Sequence, residues 1–310
     1  MIISERKRPV KLLSPFGPGG FTDFIVENMI PRFSELLGSE IRVDYKPGRP
    51  GGCLAPRIAA KAAPDGKTLL VGTVGNTALL PAIYPNYGIN PLTDLTPISL
   101  LVQAADILVA RPDLPVNDLD GLIALAKQEP EGLTYNPIAS GSIHYLEFLM
   151  LMNESNIKLS SPVFSNNPNE APYRAVAEGD VDLLISTPAR TFPRLRTGEM
   201  KGIALIARER SVGAPGLPTF PELGIQSLHT GSWTGLFGPP GMSKELVREI
   251  ADAVRDALYT TEGLGETLGQ RGMTLEVSES PEAFRAYLET EMVRLAKEVS
   301  ITDMPFVEED

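Results

Sequence analysis

A five-residue strand, Val10–Ser14 (VKLLS), runs into the turn PFGPGG and then into a helix, and this strand–turn–helix unit recurs along the chain. In the first helix Phe24, Ile25, Met29, Phe33 and Leu36 fall at helical spacing. Thr22 or Asp23 can cap its start, Gly38 ends it, and Pro31 inside it predicts a kink or local break. Strand Ile41–Tyr45, the turn KPGRPGG, a small-residue helix to Lys61 and strand Thr68–Thr73 follow. The rhythm continues through strand Leu133–Asn136, helix Ser142–Asn153, and strands Val181–Ser186 and Gly202–Ala207. Such alternation predicts an α/β architecture with mostly parallel sheets. The last third differs, with two helical stretches, Lys244–Tyr259 and Pro281–Val299. In the second, Phe284, Leu288, Met292, Leu295 and Val299 line one face, opposite Glu and Arg, as in a packing helix.

A chain of 310 residues predicts about two domains. Its 28 glycines and 28 prolines form no low-complexity block. They gather at strand-to-helix junctions, where α/β proteins bind ligands. With 28 basic against 39 acidic residues the net charge is −11, which argues against nucleic acid as a partner. A small anion stays open, because one helix terminus can hold a carboxylate inside an acidic protein. Cys53 is the single cysteine and His144 and His229 are the two histidines; HExxH and CxxC are absent. No cofactor or thiolate metal cluster is therefore expected. No apolar run approaches the ~20 residues of a membrane span, so direct membrane insertion is not expected. The first twenty residues carry charges but no apolar leader core or cleavage signal. Two readings follow: a leader removed ahead of Met1, or a cytoplasmic chain.

Familiar motifs fail on inspection. Gly17-Pro18-Gly19-Gly20-Phe21-Thr22 follows a strand, but Thr22 holds the third glycine position of a dinucleotide fingerprint. Asp65-Gly66-Lys67-Thr68 resembles the end of a P-loop, but Lys61 replaces the first glycine and a strand follows. In Gly231-Ser232-Trp233-Thr234-Gly235 a tryptophan stands where a nucleophile elbow needs serine. Two loops survive, Phe16-Gly17-Pro18-Gly19-Gly20-Phe21-Thr22-Asp23 and Ala139-Ser140-Gly141-Ser142-Ile143-His144. Each is a small-residue turn opening a helix, where free amides and hydroxyls make an anion site without Lys or Arg. Each also reads as an ordinary helix cap. If both helices start on one cleft, the amides of Gly19 to Thr22 and the hydroxyls of Ser140 and Ser142 grip one carboxylate from two sides.

An ordered series of motifs resembles the Bug family of bacterial extracytoplasmic solute receptors, the TctC-like binding component of tripartite tricarboxylate transporters. It runs Pro15–Asp23, Lys46–Gly52, Ala62–Leu70, Pro81–Tyr84, Leu114–Val116, Gly179–Asp182, Leu217–Thr219 and Ser232–Leu236. The resemblance extends from about Pro9 to Val299. It implies a two-domain periplasmic-binding-protein fold of the type II class, with residues 1–104 plus 230–310 as a discontinuous first domain and 105–229 as the second. The ligand would lie in the cleft between them. Crossings would fall near Leu101–Leu108 and Leu228–Gly235.

Three positions depart from the family pattern. Asn166-Asn167-Pro168-Asn169 replaces a Tyr-Lys-Gly-Gly type loop, Ser186-Thr187 followed by Arg190 replaces an Asp-Asn pair, and Thr77 stands where a histidine is common, although Asn76 stays polar. These point to an unusual ligand or to a relative that has left the transport role. The ligand-binding set implied is Phe16, Gly19, Gly20, Phe21, Thr22, Asp23, Thr73, Asn76, Ser140, Gly141, Ser142, His144, Asn167, Thr187 and Arg190.

The leading expectation is a periplasmic solute-binding protein for a small mono- or dicarboxylate, with membrane transporter subunits as implied partners. The alternatives are a cytoplasmic enzyme of the same fold acting on a carboxylic acid (isomerase, hydrolase or lyase type) and a carboxylate co-sensor. For the enzyme, His144 is the candidate acid or base, against a plain surface or cap histidine. Arg190, on the far side of the cleft, is expected to pair with a second carboxylate and favour diacids, against a solvated surface arginine.

Overall fold

The computed structural model describes residues 9–302 and Met304, apart from Pro50, Pro85, Ser140, Ser161, residues 163–169 and Thr230. Expectations on Ser140 and Asn167 therefore fall outside the described residues. The chain begins β1 (Val10–Ser14), α1 (Phe21–Leu37), β2 (Ile41–Tyr45), α2 (Leu54–Ala59) and β3 (Thr68–Thr73). A wide helical turn at Gly75–Leu79 leads to α3 (Leu80–Ile83), α4 (Pro91–Asp94), β4 (Thr96–Ala104) and β5 (Asp106–Ala110). Next come α5 (Leu119–Gln128), β6 (Tyr135–Asn136), α6 (Ile143–Ser155), α7 (Ala171–Ala177), β7 (Leu183–Ser186), α8 (Pro188–Thr197) and β8 (Lys201–Ile206). The chain closes with β9 (Ser232–Gly238), α9 (Lys244–Thr260), α10 (Leu264–Gln270), β10 (Met273–Leu275) and α11 (Pro281–Thr302).

These strands form two sheets, ordered β10-β4-β9-β3-β1-β2 and β6-β7-β5-β8. The expectation of mostly parallel sheets is corrected. β1–β2, β1–β3 and β6–β7 are parallel, whereas β3–β9, β4–β9, β4–β10, β5–β7 and β5–β8 are antiparallel. The reason is the crossing. β4 leaves the first sheet, Ala105 alone separates it from β5 in the second, and β9 returns beside β4 in the opposite sense. Gly231, just before β9, has φ +57°, and the space a Cβ would need is filled by Ala104 O, Asp106 N and Ile206 O. Glycine is required there by both backbone angle and room.

Strand alternation sends neighbouring residues to opposite faces. Leu12, Leu69, Val71 and Leu236 meet Ile25, Met29 and Phe33 of α1 and Ile250 and Val254 of α9. Leu13, Leu70 and Phe237 instead join the core that holds Phe284 and Leu288 of α11. That second core continues into Leu146, Phe148, Leu108 and Leu183, so it runs unbroken under both sheets. Helix α1 passes through Pro31 as one element and ends at Gly38 in the left-handed region. Its expected side-chain cap is absent: Gly20 is the capping residue, and Thr22 and Asp23 lie in the first turn. The polar face expected of α11 has one exception, Glu291, which is buried and accepts from Trp233 Nε1 at 3.3 Å and from Arg294 at 2.9 and 3.0 Å.

Asp182 ties the second sheet's edge. It accepts from Arg111 Nε at 2.6 Å and from Thr134 N and Oγ1 at 2.7 and 2.8 Å. Burial alone would raise its pKa, but the guanidinium and the Thr134 donors outweigh burial and hold it below the ordinary value. A depressed carboxyl contributes stability that is complete above its unfolded pKa, near ~4, and is lost as pH falls through the folded one. Denaturation of Asp182→Asn should therefore show a deficit against the parent that is constant from neutral pH down to about pH 5 and shrinks below about pH 4. A deficit unchanged at low pH would assign Asp182 a purely steric role.

Candidate functional site

Parallel β1 and β3 end on the same edge, where α/β sheets place ligands. β1 leads into the exposed turn Phe16–Gly19 and then α1, whose first-turn amides receive no side-chain cap. Four N–H groups at such a terminus lack helical partners and favour an anion. One expected donor is engaged: Gly19 N–H gives its hydrogen bond to Asp23 Oδ2 at 2.7 Å. Asp23 is buried, and its other oxygen accepts from Tyr45 O–H at 2.5 Å. This bond, with burial, pushes the Tyr45 phenol up to about 12, so it remains a donor across the physiological range. Asp23 thus organises the turn. Phe16 is half-exposed at its rim, its carbonyl accepting from Ser14 Oγ at 3.1 Å.

At the end of β3, Asn76 is fully buried and its Oδ1 accepts from Thr73 N at 2.9 Å. The Asn76 Nδ2 donor has no hydrogen-bond partner among the described residues. Unpaired buried donors are uncommon and costly, so this amide asks for an acceptor. Thr73 itself is buried, and its carbonyl accepts from Thr77 Oγ1 at 2.7 Å, which gives the family's histidine position a turn-closing role here.

The second loop approaches from the other sheet. Ser142 caps α6, accepting from Tyr145 N at 3.2 Å while its hydroxyl donates to Pro137 O at 2.8 Å. Both bonds stay within the loop, so its proton serves the loop's own backbone. Gly141 has φ +71°, and a Cβ there would lie 3.3 Å from Leu80 Cδ2 and 3.4 Å from the Tyr84 hydroxyl oxygen. That contact brings α3, beside the first sheet, against the loop of the second. Thr187 caps α8 through its backbone, and its carbonyl accepts from Thr191 Oγ1 at 3.1 Å.

Arg190 is no solvated arginine. Its Nη1 pairs with Glu170 Oε1 at 3.0 Å and its Nη2 donates to Gly19 O at 3.1 Å, reaching from α8 to the turn before α1. Its guanidinium carbon stands 5.9 Å from the Tyr173 ring centre, while Arg194 shares both Glu170, at 2.8 Å, and that ring, at 5.1 Å. One arginine therefore links α8, beside the second sheet, to the glycine-rich turn that opens α1.

His144 is not the plain surface histidine of one sequence reading. Its side chain is 12% exposed, and Nε2 lies 3.6 Å from Asp106 Oδ1 at the crossing strand. Glu147, one turn along α6, is buried beside them. Burial and the facing Asp106 carboxyl push the Glu147 pKa well above the ordinary range. Neither acid was foreseen as part of a site. The signal was there in each case: a lone acid within an apolar run, DILVA and HYLEFLM.

The model of the "Tripartite tricarboxylate transporter family receptor" matches residues 25–296. The chain belongs to that receptor family. A UPF0065 protein of Bordetella pertussis is 30% identical to this receptor over 257 residues, covering 81% of this chain and 76% of its own. BugT of the same organism is 27% identical, over 93% and 87% of the two chains. MatC of Rhodopseudomonas palustris, solved with bound malate, superposes with a TM-score of 0.82 at 29% identity, covering 94% of this chain and 99% of its own. An R. palustris protein solved with adipate gives 0.86 at 28%, over 96% and 98%. The fold is that of the periplasmic binding proteins, as the likeness to BugD at a TM-score of 0.83 also shows. No helix among the described residues of the receptor is long and apolar enough to cross a membrane.

Proposed function

We propose that this receptor captures a small carboxylate, a dicarboxylate foremost, between its two sheets and presents it in the periplasm to the membrane subunits of a tripartite transporter. The two sheets then correspond to two lobes, residues 1–104 with 230–310 and residues 105–229. The observation that carries the reading is the Asn76 amide, a buried donor without a partner among the described residues, at the end of β3. At the corresponding end of the neighbouring parallel strand β1, the uncapped start of α1 offers Phe21, Thr22 and Asp23 N–H groups to the same anion. The malate and adipate held by two structural relatives supply the ligand class. Hydrogen bonds to a charged group contribute roughly 1.5–3 kcal/mol each, so three reach micromolar affinity after ordering costs. Calorimetric titration with malate, adipate and matched monoacids tests this directly. Saturable micromolar binding of at least one is expected; heat-silent titrations across C3 to C6 acids would overturn the reading.

In this reading Arg190 closes the cleft by clasping Gly19 O, where the chemistry of a guanidinium facing the cleft had suggested a grip on a second carboxylate. Arg190→Ala should then weaken a diacid and its matched monoacid alike, by about three- to tenfold, mostly through faster release. A loss confined to the diacid would show that the guanidinium leaves Gly19 for the ligand.

A further inference from the structure

We propose that Asp106, His144 and Glu147 form a divalent-cation site of the zinc type where the chain crosses between the two sheets. The inference goes beyond carboxylate capture and does not rest on it. Asp106 opens β5 and is fully buried, and Glu147 is 3% exposed. His144 and Glu147 stand three apart on α6 and share a face. Asp106 Oδ1, Glu147 Oε2 and both ring nitrogens of His144 have no hydrogen-bond partner among the described residues. One donor atom from each residue lies within 4.8 Å of the others.

Native interiors seldom leave one such atom unpaired, and here four cluster in one place. A guest that satisfies them must be positive, because two carboxyl groups face one another. It must also accept a lone pair, because the third member is an imidazole, which binds metals through a ring nitrogen. A mixed nitrogen and oxygen set suits zinc or cobalt, whereas magnesium and calcium prefer oxygen alone. Zinc bonds of about 2.0–2.2 Å place tetrahedral ligand atoms ~3.3–3.6 Å apart. The 3.6 Å between His144 Nε2 and Asp106 Oδ1 already meets that spacing. The Glu147 donor atom lies within 4.8 Å of both others, close enough to join the same ion after a small side-chain adjustment. The outer oxygen of Asp106 is fixed by the Ser232 hydroxyl at 2.7 Å, the kind of partner that orients a metal-binding carboxylate. The nearby cation Arg294 is held by Glu291 at 2.9 and 3.0 Å, which offsets its charge.

The test uses the full chain, stripped with a chelator and titrated with cobalt and then zinc at neutral pH. One equivalent of Co2+ should produce the intense visible bands of a four-coordinate site, and Zn2+ should abolish them. Glu147→Gln and His144→Ala should each weaken Zn2+ binding by at least about tenfold, and Ser232→Ala by a similar factor. His229→Ala, on a half-buried histidine that bonds Gln226 O at 2.7 Å, should leave it unchanged. The cobalt spectrum of the parent chain needs no variant to fold. Absence of those bands with no saturable zinc binding below about 100 μM would overturn the site, as would affinity unchanged in Glu147→Gln and His144→Ala. The two carboxyl groups would then be joined by a proton. Malate titrated in parallel separates the two claims: metal failure with malate binding intact strikes this site alone.

Discussion

Phe284→Ala is expected to cost about 3–5 kcal/mol of stability, the range for deleting a fully enclosed aromatic ring. Phe284 has no exposed surface. Its ring meets Trp233 edge-on at 6.1 Å and Phe237 at 5.1 Å, and it fills the space over Gly235. Those partners all lie on β9, the central returning strand, so the ring fastens α11 to the first sheet where that sheet receives the chain back. Trp233 is the single tryptophan and touches the ring, so its fluorescence during denaturant unfolding reports the change. A loss below about 1 kcal/mol would mean that α11 settles into the gap and that the aromatic cluster is not what fastens it.

Asn76→Asp should weaken carboxylate binding by at least about a hundredfold. The substitution keeps the acceptor that Thr73 N–H uses and exchanges the free amide for a charged oxygen. A donor to the ligand becomes a like charge in a buried setting. Asn76→Ala, which removes the donor without adding charge, should cost about tenfold. The aspartate variant should regain affinity as pH falls and its carboxyl takes up a proton, whereas the alanine variant should not. Unchanged calorimetric affinity in both would remove Asn76 from the site.

Local chemistry carried much of the first sheet. β1, β2 and β3 lie where their short β-prone runs and flanking turns placed them; β1 and β3 are largely buried, while β2, at the sheet edge, buries Ile41 alone. The stretch from Thr96 to Ala110 was not divided by local pattern: it reads as one largely apolar run, and only the family resemblance pointed to a crossing near Leu101–Leu108. Ala105 divides it into strands of different sheets, a boundary that tertiary pairing creates. The glycine-rich loops were recognisable as helix openings, but not where their donors go. Whether Gly19 N–H faces a ligand or Asp23 depends on a side chain one helical turn away, and Ser142 spends its proton on Pro137 by loop geometry alone. Arg190 could be placed near the cleft by resemblance, while its partners Glu170 and Gly19 lie 20 and 171 positions off. His144 needed Asp106, a neighbour in space that no spacing rule along α6 reveals.

The bond from Arg190 to Gly19 has a consequence for how such receptors diversify. Its acceptor is a main-chain oxygen, which every amino acid possesses, so no substitution in the glycine-rich turn deletes the atom being clasped. Phe16, Gly17 and Pro18 can then change side chain without touching the clasp, whereas Gly19 itself, at φ +80°, is held to glycine by its backbone angle. If that turn binds the ligand and Arg190 closes the cleft as proposed, recognition and closure are inherited separately, and a lineage can change what it carries without reinventing how it shuts.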